Sequence, residues 1–477
     1  YFAPDTRVLK FPAWDCLPYD RVPPRAELVA ERMATLGALA NEDADPAESG
    51  PPTLILTTVA AVLQRVPPRG RIRATHMELA PGRMVDFSIV TAFLAANGFH
   101  RTETVREPGE FASRGDIIDL FPPGYPEPVR IDLFGDEIEG LRRFDPLTQM
   151  TTRSLDRLTL LPASEILLDE DAIARFRSSY RARFGAVRGD DPLYEAVSEG
   201  IRHPGMEHWL PLFYEAPETL FDYAKGPVIL GAQTPDAMTD RFDQITDYFS
   251  ARANAPDRAE GEAPYNPLPP DALYLGPDEW EDLRESRAAI DFDVFEAPVS
   301  GTRSSSVGGR RATDFADARN RADTNLFDAV RTRIINEQGE GQAVAIACYS
   351  NGSRDRLTQL LVDHDMDRAT PVSRWSDVLA AGADQIPICV LPLDSGFSVP
   401  GRTIYSEQDI LGDRLVRRRR VTKPSEHLIS EMSSLSVDDI VVHADHGIGR
   451  YDGLETLEIG GAPHDCLRLV YAGDDKL

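Results

Sequence analysis

Residues 111–146, FASRGDIIDLFPPGYPEPVRIDLFGDEIEGLRRFDP, carry the pattern from which the rest of the chain is read. Two short strands, over residues 116–121 and 129–133, are predicted on either side of a turn rich in Pro and Gly, and the acidic GDEIE corner follows them. Period-two alternation in the second strand sets Val129, Ile131 and Leu133 on one face and Arg130 and Asp132 on the other, with Phe134 continuing the polar side. An arginine beside an exposed aromatic is the composition of a protein-binding hot spot, because both bury much surface for little lost rotamer freedom. The competing reading turns Phe134 inward at the strand end, and spacing alone leaves both open.

The bulk properties bound the answer. A chain of 477 residues fits roughly three domains or more at about 150 residues each, and 42% hydrophobic residues suffice for globular cores. The formal net charge of -27 argues against general binding to nucleic acid, since neutralising phosphates takes clustered Lys and Arg; any DNA contact is expected to be local. Cys16, Cys348, Cys389 and Cys466 lie far apart with no C-x-x-C, against a disulfide framework or a zinc site and in keeping with a reducing cytoplasm. With no run of about 18 apolar residues and no basic and apolar blocks at the start, the chain reads as soluble and cytoplasmic. Its first residue is Tyr1 and its last stretch reads as a strand, so a fragment of a longer protein is expected.

Taken in order, residues 1–75 show a helical pattern over 26–39, an acidic stretch over 41–48 read as a solvated loop, and an apolar strand over 54–58 running into a helix over 59–66. That is half of a parallel βα unit. Residues 76–161 are strand-rich, with a helix over 87–97 whose Val90, Phe93 and Leu94 share a face. The α/β pattern returns over 162–298: Asp169 as N-cap of a helix over 172–184, strand 228–230 before helix 236–249, and strand 273–275 before a helix opening at Pro277. The expected fold class is therefore α/β and multidomain, one parallel-sheet domain being interrupted by a strand-rich α+β insert.

Residues 252–270 read as a long surface loop. The run SGTRSSSVGGRR, residues 300–311, reads as a mobile linker within 299–321. A small α/β domain is expected over 322–415, with strand 343–348, Ser353 as N-cap of helix 354–362, strands 386–391 and 403–405, and a capping box opening at Ser406. The basic run Arg417, Arg418, Arg419, Arg420 opens a connector over 416–435. It is either a solvated or docked linker end or a direct phosphate contact. From 436 to 477, short strands separated by Gly447, Gly449, Gly453, Gly460 and Gly461 suggest a small, strongly bent β-barrel.

Catalytic chemistry finds no footing in the sequence. No G-x-x-x-x-G-K-[ST] occurs, so the backbone cradle and lysine for nucleotide phosphates are missing; residues 349–353 read as a plain turn between strand and helix. His443, Asp445 and His446 invite a metal, but turn chemistry explains them without one. Acidic pairs such as Asp136–Glu137 and Asp190–Asp191 assemble no nucleophile, base and orienting group.

The runs RGDIIDLFPPG and VRIDLFGDEIEGLRRFDPLTQ resemble domain 2 of the UvrB-like module at the front of the bacterial transcription-repair coupling factor (Mfd) family. FPAWDCLPYD from Phe11, GMEHWLPLFY from Gly205 and VVHADHGIGRYDGLETLEIGGAPHDCLRLVYAGDDKL from Val441 agree with the same family, in its order and across nearly the whole chain. The resemblance implies a degenerate helicase-like domain 1a over 1–75 and 1b over 162–298, a UvrA-binding domain 2 over 76–161, domain 3 over 322–415, and a Tudor-like, truncated RNA-polymerase-interaction barrel over 436–477. It implies Arg114, Arg130 and Phe134 as UvrA contacts; as hot-spot residues, Arg130 and Phe134 are each expected to weaken UvrA binding on truncation while leaving the fold intact. It further implies Glu455, Thr456, Leu457, Glu458 and Ile459 as the strand that meets the polymerase β subunit. No cofactor is expected in these residues, ATP and Mg belonging to a translocase motor that also carries most double-stranded DNA contact; a monomer is expected. Two other readings stay open: a UvrB-type excision-repair subunit, and an α/β metabolic enzyme with an accessory barrel.

Overall fold

The computed structural model describes residues 1–41, 51–187, 191–254, 265–295, 304–321, 325–412, 440–443, 447–459 and 462–471. Arg417–Arg420, Asp445, His446 and most of the acidic stretch after Asn41 lie outside these. The architecture is mixed α/β with several sheets, in two compact units, Tyr1–Val307 and Gly308–Leu477.

The first unit opens with β1 (Arg7–Phe11), a strand the sequence pattern did not reveal, which pairs in parallel with β2 (Thr53–Thr57). Thr58 caps the helix that follows, its side chain accepting from the Ala61 amide, but the helix covers only Val59–Val62. The expected extension to residue 66 fails because Gln64 and Val66 bridge to Tyr274 and Glu218, and Pro67 and Pro68 come next. Beneath β1 and β2, Phe11, Met33, Leu36 and Val62 pack with Leu220, Phe221 and Trp280, so residues from both sides of the insert fill one core. Each such fully buried side chain contributes roughly 1.5–3 kcal/mol.

The insert leaves and rejoins this core at one place. β3 (Met77–Leu79) and β10 (Leu158–Leu160) pair antiparallel, Met77 opposite Leu160. Between them lie β4 (His100–Arg101), β5 (Glu110–Arg114), β6 (Ile117–Leu120), β7 (Val129–Phe134), β8 (Glu137–Phe144) and β9 (Thr151–Leu155), a six-stranded sheet in sequential order. The helix Phe87–Ala96, capped by Asp86, lays Val90 and Leu94 on Phe111, Ile118, Leu120, Ile131 and Leu141. One sheet face is thereby buried, while the other carries the polar residues together with a small buried cluster of Val105, Ala112, Phe121 and Phe144.

One buried ion pair joins the insert's exit to the first core. Arg32, wholly buried in helix Ala26–Asn41, donates from Nε and Nη2 to Glu165 at 2.6 and 3.0 Å, and from Nη1 to the Pro12 carbonyl and Gln64 Oε1 at 2.9 Å each. Trp14 Nε1 donates to the same carboxylate at 3.0 Å, and the guanidinium lies 4.1 Å from the Phe11 ring centroid.

β11 (Val228–Leu230) pairs in parallel with β12 (Ala289–Asp291). The strand expected over 273–275 is instead the end of helix Pro270–Leu273 and a one-residue bridge at Tyr274, because Pro269 and Pro270 start a helical turn there. Residues 265–270, read as surface loop, are packed: Leu268 is buried, Trp209 Nε1 donates to the Asn266 carbonyl at 2.8 Å, and Asn266 Nδ2 donates to the Tyr180 hydroxyl at 2.9 Å. Asp191, from an acidic pair without assigned chemistry, caps helix Pro192–Ser198 and accepts from the Tyr180 hydroxyl. In the GMEHW stretch, Gly205 holds φ +78° with the Arg21 carbonyl oxygen 2.6 Å from where a Cβ would sit. His208 follows, buried edge-on to Trp14 with its Nδ1 unpartnered among the described residues, and burial holds its pKa down at about 4.

In the second unit, the last residues of the expected linker are structured: Arg310–Arg311 forms β13 against Phe397, and Ala312 and Phe315 enter the core. The sheet runs β13, β17 (Phe397–Val399), β18 (Arg402–Ser406), β14 (Ala343–Cys348), β16 (Ile386–Val390), β15 (Ala369–Pro371), parallel from β18 to β15. β14 is apolar on both faces, as a parallel strand covered on both sides requires. Helix Asn351–Val362 is capped by Ser350, three residues before the expected Ser353, which serves as the other half of the capping box. β19 (Ile440–His443), β20 (Gly447–Ile459) and β21 (Ala462–Val470) form an antiparallel three-stranded sheet. Gly447, Gly449 and Gly453 do not separate strands as expected. They lie within β20, where Gly453 sits at a bulge and Gly449 lets the Tyr471 ring approach to 3.1 Å of its missing Cβ.

Two outcomes follow for the first unit. Glu165→Ala strands the Arg32 guanidinium and Trp14 Nε1 in the interior, so urea unfolding followed by tryptophan fluorescence should show a loss of about 3–5 kcal/mol. Because the folded-state pKa of His208 lies below its unfolded value, its contribution is present above about pH 6.5 and is lost as pH falls towards about 4. By pH 5 that amounts to about 2 kcal/mol; in His208→Phe the melting temperature should fall correspondingly less between pH 7 and pH 5.

Candidate functional site

The open face of the six-stranded sheet carries the residues singled out by the alternation. Antiparallel register places Asp119 of β6 directly opposite Arg130 of β7, and Arg130 opposite Arg142 of β8. Arg130 donates from Nε and Nη2 to the two Asp119 oxygens at 2.7 and 2.9 Å, a bidentate fork, and lies 4.9 Å from the Phe144 ring centroid. Hydrogen bonding to Asp119 raises the pKa of Arg130 further. Asp132, opposite Gly140, accepts from Arg142 Nε at 2.8 Å. Two like charges thus face each other across the strands, each held by its own buried carboxylate.

Phe134 stays outward, 80% exposed. The bulge in the β7–β8 ladder places its extra residue, Glu139, on β8, so β7 keeps its alternation to the end: Leu133 enters the core and Phe134 remains on the polar face, which settles the choice left open by spacing. Arg114 was expected just before a strand beginning at residue 116. It ends a strand of its own, β5, opposite Ile117, and its guanidinium donates to the Glu103 carbonyl. The β5–β6 and β7–β8 hairpins turn at the same end of the sheet, through Gly115 at φ +59° and Gly135 at φ +61°. Arg114 and Phe134 are therefore brought to one end of one face, and Arg130 lies further down the same strand as Phe134. The expectation that Arg130 can be truncated with the fold intact is corrected: its removal leaves Asp119 buried without its partner.

Glu455, Thr456, Leu457, Glu458 and Ile459 form the far half of β20. Among the described residues they pair only with β21, from Glu455 opposite Cys466 to Ile459 opposite Ala462, because β19 pairs no further than Arg450. This half of the strand presents one backbone edge.

Other chemistry remains unsupported among the described residues. No group of His, Cys, Asp and Glu is placed to hold a metal, and His443 takes its place in β19 opposite Gly447. The turn at residues 349–353 spends its hydroxyls on capping: Ser350 Oγ accepts from the Ser353 amide at 3.2 Å. Cys16, Cys348 and Cys389 form no disulfide among the described residues. No helix among the described residues is long and apolar enough to cross a membrane.

Comparison with known proteins gives two family matches and relatives aligned along the whole chain. The UvrB interaction domain family matches residues 77–166, which holds the six-stranded sheet, and the CarD-like/TRCF RID domain family matches residues 435–477. A transcription-repair-coupling factor of Rickettsia bellii (strain RML369-C) is 29% identical over 483 residues, covering 100% of this chain and 40% of its own length. That of Escherichia coli (strain K12) is 31% identical over 493 residues, with 99% and 40% covered, and that of Bacillus subtilis (strain 168) is 26% identical over 505 residues, with 99% and 40% covered. The chain spans about 40% of the length of these relatives. Matched from end to end in this way, the chain is similar throughout to bacterial transcription-repair coupling factors.

Proposed function

We propose that this chain serves transcription-coupled nucleotide excision repair as a recruiting module, bringing in UvrA through the open face of the six-stranded sheet and binding RNA polymerase through the free edge of β20. The observation that carries the reading is the pairing of a UvrB interaction domain match with a CarD-like/TRCF RID domain match on one chain aligned throughout to coupling factors. On this reading the first unit holds a degenerate helicase-like domain without a phosphate loop. The strands β19–β21 belong to a Tudor-like barrel. ATP hydrolysis and DNA translocation belong to the remainder of the relatives' length. Phe134 supplies the aromatic anchor, Arg114 and Arg130 the charged contacts, and Leu457 with its neighbours Glu455, Thr456, Glu458 and Ile459 the polymerase edge. Main-chain pairing would give that edge its affinity and the apolar side chain its register.

Calorimetric titration with UvrA tests the first half. Phe134→Ala touches an exposed side chain and should weaken binding roughly tenfold or more with the melting temperature unchanged. Arg130→Ala is expected to weaken it too, but with a loss of fold stability from the orphaned Asp119. Wild-type affinity in Phe134→Ala would remove the site. For the second half, Leu457→Arg should reduce binding to the polymerase β subunit by roughly tenfold or more in a pull-down titration; unchanged binding would remove the strand assignment.

A further inference from the structure

The register of the sheet brings to the Phe134 end two apolar side chains that the sequence pattern did not connect with it. At Glu137, β8 has no β9 neighbour, since β9 pairs only with Leu141–Phe144. Residues 82–85 fill that side: the Gly82 amide donates to the Ile138 carbonyl at 2.8 Å, the Val85 amide to the Asp136 carbonyl at 2.7 Å, and the Ile138 amide to the Arg83 carbonyl at 3.0 Å. Met84 thus bridges Glu137, which in turn pairs with Phe134, so the three form one cross-strand row on the open face. Met84 is 67% exposed. The next row runs Arg114, Ile117, Asp132, Gly140, and Ile117 is 38% exposed. Gly140 itself raises no side chain beside Arg142, an added Cβ would meet nothing closer than Asp132 Oδ2 at 4.0 Å, and the exposed bulge residue Glu139 borders this recess on the Glu137 side.

The geometry points to Met84, Phe134 and Ile117 acting together as an apolar anchor, with the recess over Gly140 admitting a side chain of the protein that docks there. Resting on the reading of this face as the UvrA contact, the inference states what that partner must present: an apolar pocket for Phe134 and Met84 and a projecting side chain for the recess. Three features of the free chain support it. Backbone hydrogen bonds fix residues 82–85 to the hairpin, so Met84 is held in place before binding and little order remains to be imposed. Methionine, being flexible and polarisable, fills an imperfect pocket at small cost. Ion pairs already satisfy Asp119 and Asp132, so the charged centre of the face can be covered without leaving a carboxylate unpaired.

Titration of UvrA with the whole chain tests this against Phe134→Ala as reference. Met84→Ala and Ile117→Ala should each weaken binding by roughly fivefold or more, and Gly140→Leu, which deletes no contact and fills the recess, by roughly tenfold or more. All three sites are open enough that melting temperatures should stay within about 2 °C of wild type. If Phe134→Ala loses affinity while Met84→Ala, Ile117→Ala and Gly140→Leu bind as wild type, the inference falls and the UvrA reading stands. If Phe134→Ala binds as wild type, both fall.

Discussion

The salt bridge between Arg32 and Glu165 is the constraint on which the first unit depends. Both side chains are removed from water, and each charge costs several kcal/mol to desolvate unless its bonding is complete. Here four of the five guanidinium N–H groups are bonded, two to the carboxylate, one to the Pro12 carbonyl and one to Gln64, with the Phe11 ring against its face. Four segments distant in sequence must meet for that to happen. Such a pair contributes little net stability compared with well-packed apolar residues. What it adds is geometric: with Trp14 bound to the same carboxylate, the chain emerging from the insert can enter the first core in one way.

That fixed exit matters for the sheet beyond it. β3 and β10 tie the insert's two ends together, so the six-stranded sheet is attached by a narrow neck and keeps its own core on one face. Among the described residues, the opposite face packs only the small cluster of Val105, Ala112, Phe121 and Phe144. It resolves its charges internally, through Arg130 with Asp119 and Arg142 with Asp132, and shows solvent an aromatic, Phe134, that none of the described residues covers. Arg130 therefore does two jobs, and any change in binding upon its removal mixes contact with the cost of a stranded carboxylate. Phe134 gives the cleaner measurement.

Much of this was legible in the sequence, for physical reasons that differ by element. Alternation of side chains is a local property of extended backbone, so Val129, Ile131 and Leu133 inward and Arg130 and Asp132 outward could be read directly. Asp169 as a cap was equally local, since its side chain bonds an amide three residues on. Where two residues could each serve, as Ser350 and Ser353 do, locality was insufficient and the wrong one was chosen. The glycines of β20 were read as breaks, whereas one answers to an aromatic ring, Tyr471, brought against it by pairing.

By itself, the sequence determined the class of the fold, the composition of the open sheet face and the absence of a phosphate loop, because these follow from residue type and short-range periodicity. Only the tertiary structure decided that Phe134 stays outward, since a strand's last residue keeps the alternation only while its pairing continues, and Phe134 is still paired with Glu137, the bulge falling on β8 at Glu139. It also decided that Arg130 is held by Asp119, that Arg114 shares an end of the sheet with Phe134, and that Met84 joins their face. Each of these depends on which strands lie side by side and in what register, and register is a property of pairing between distant segments.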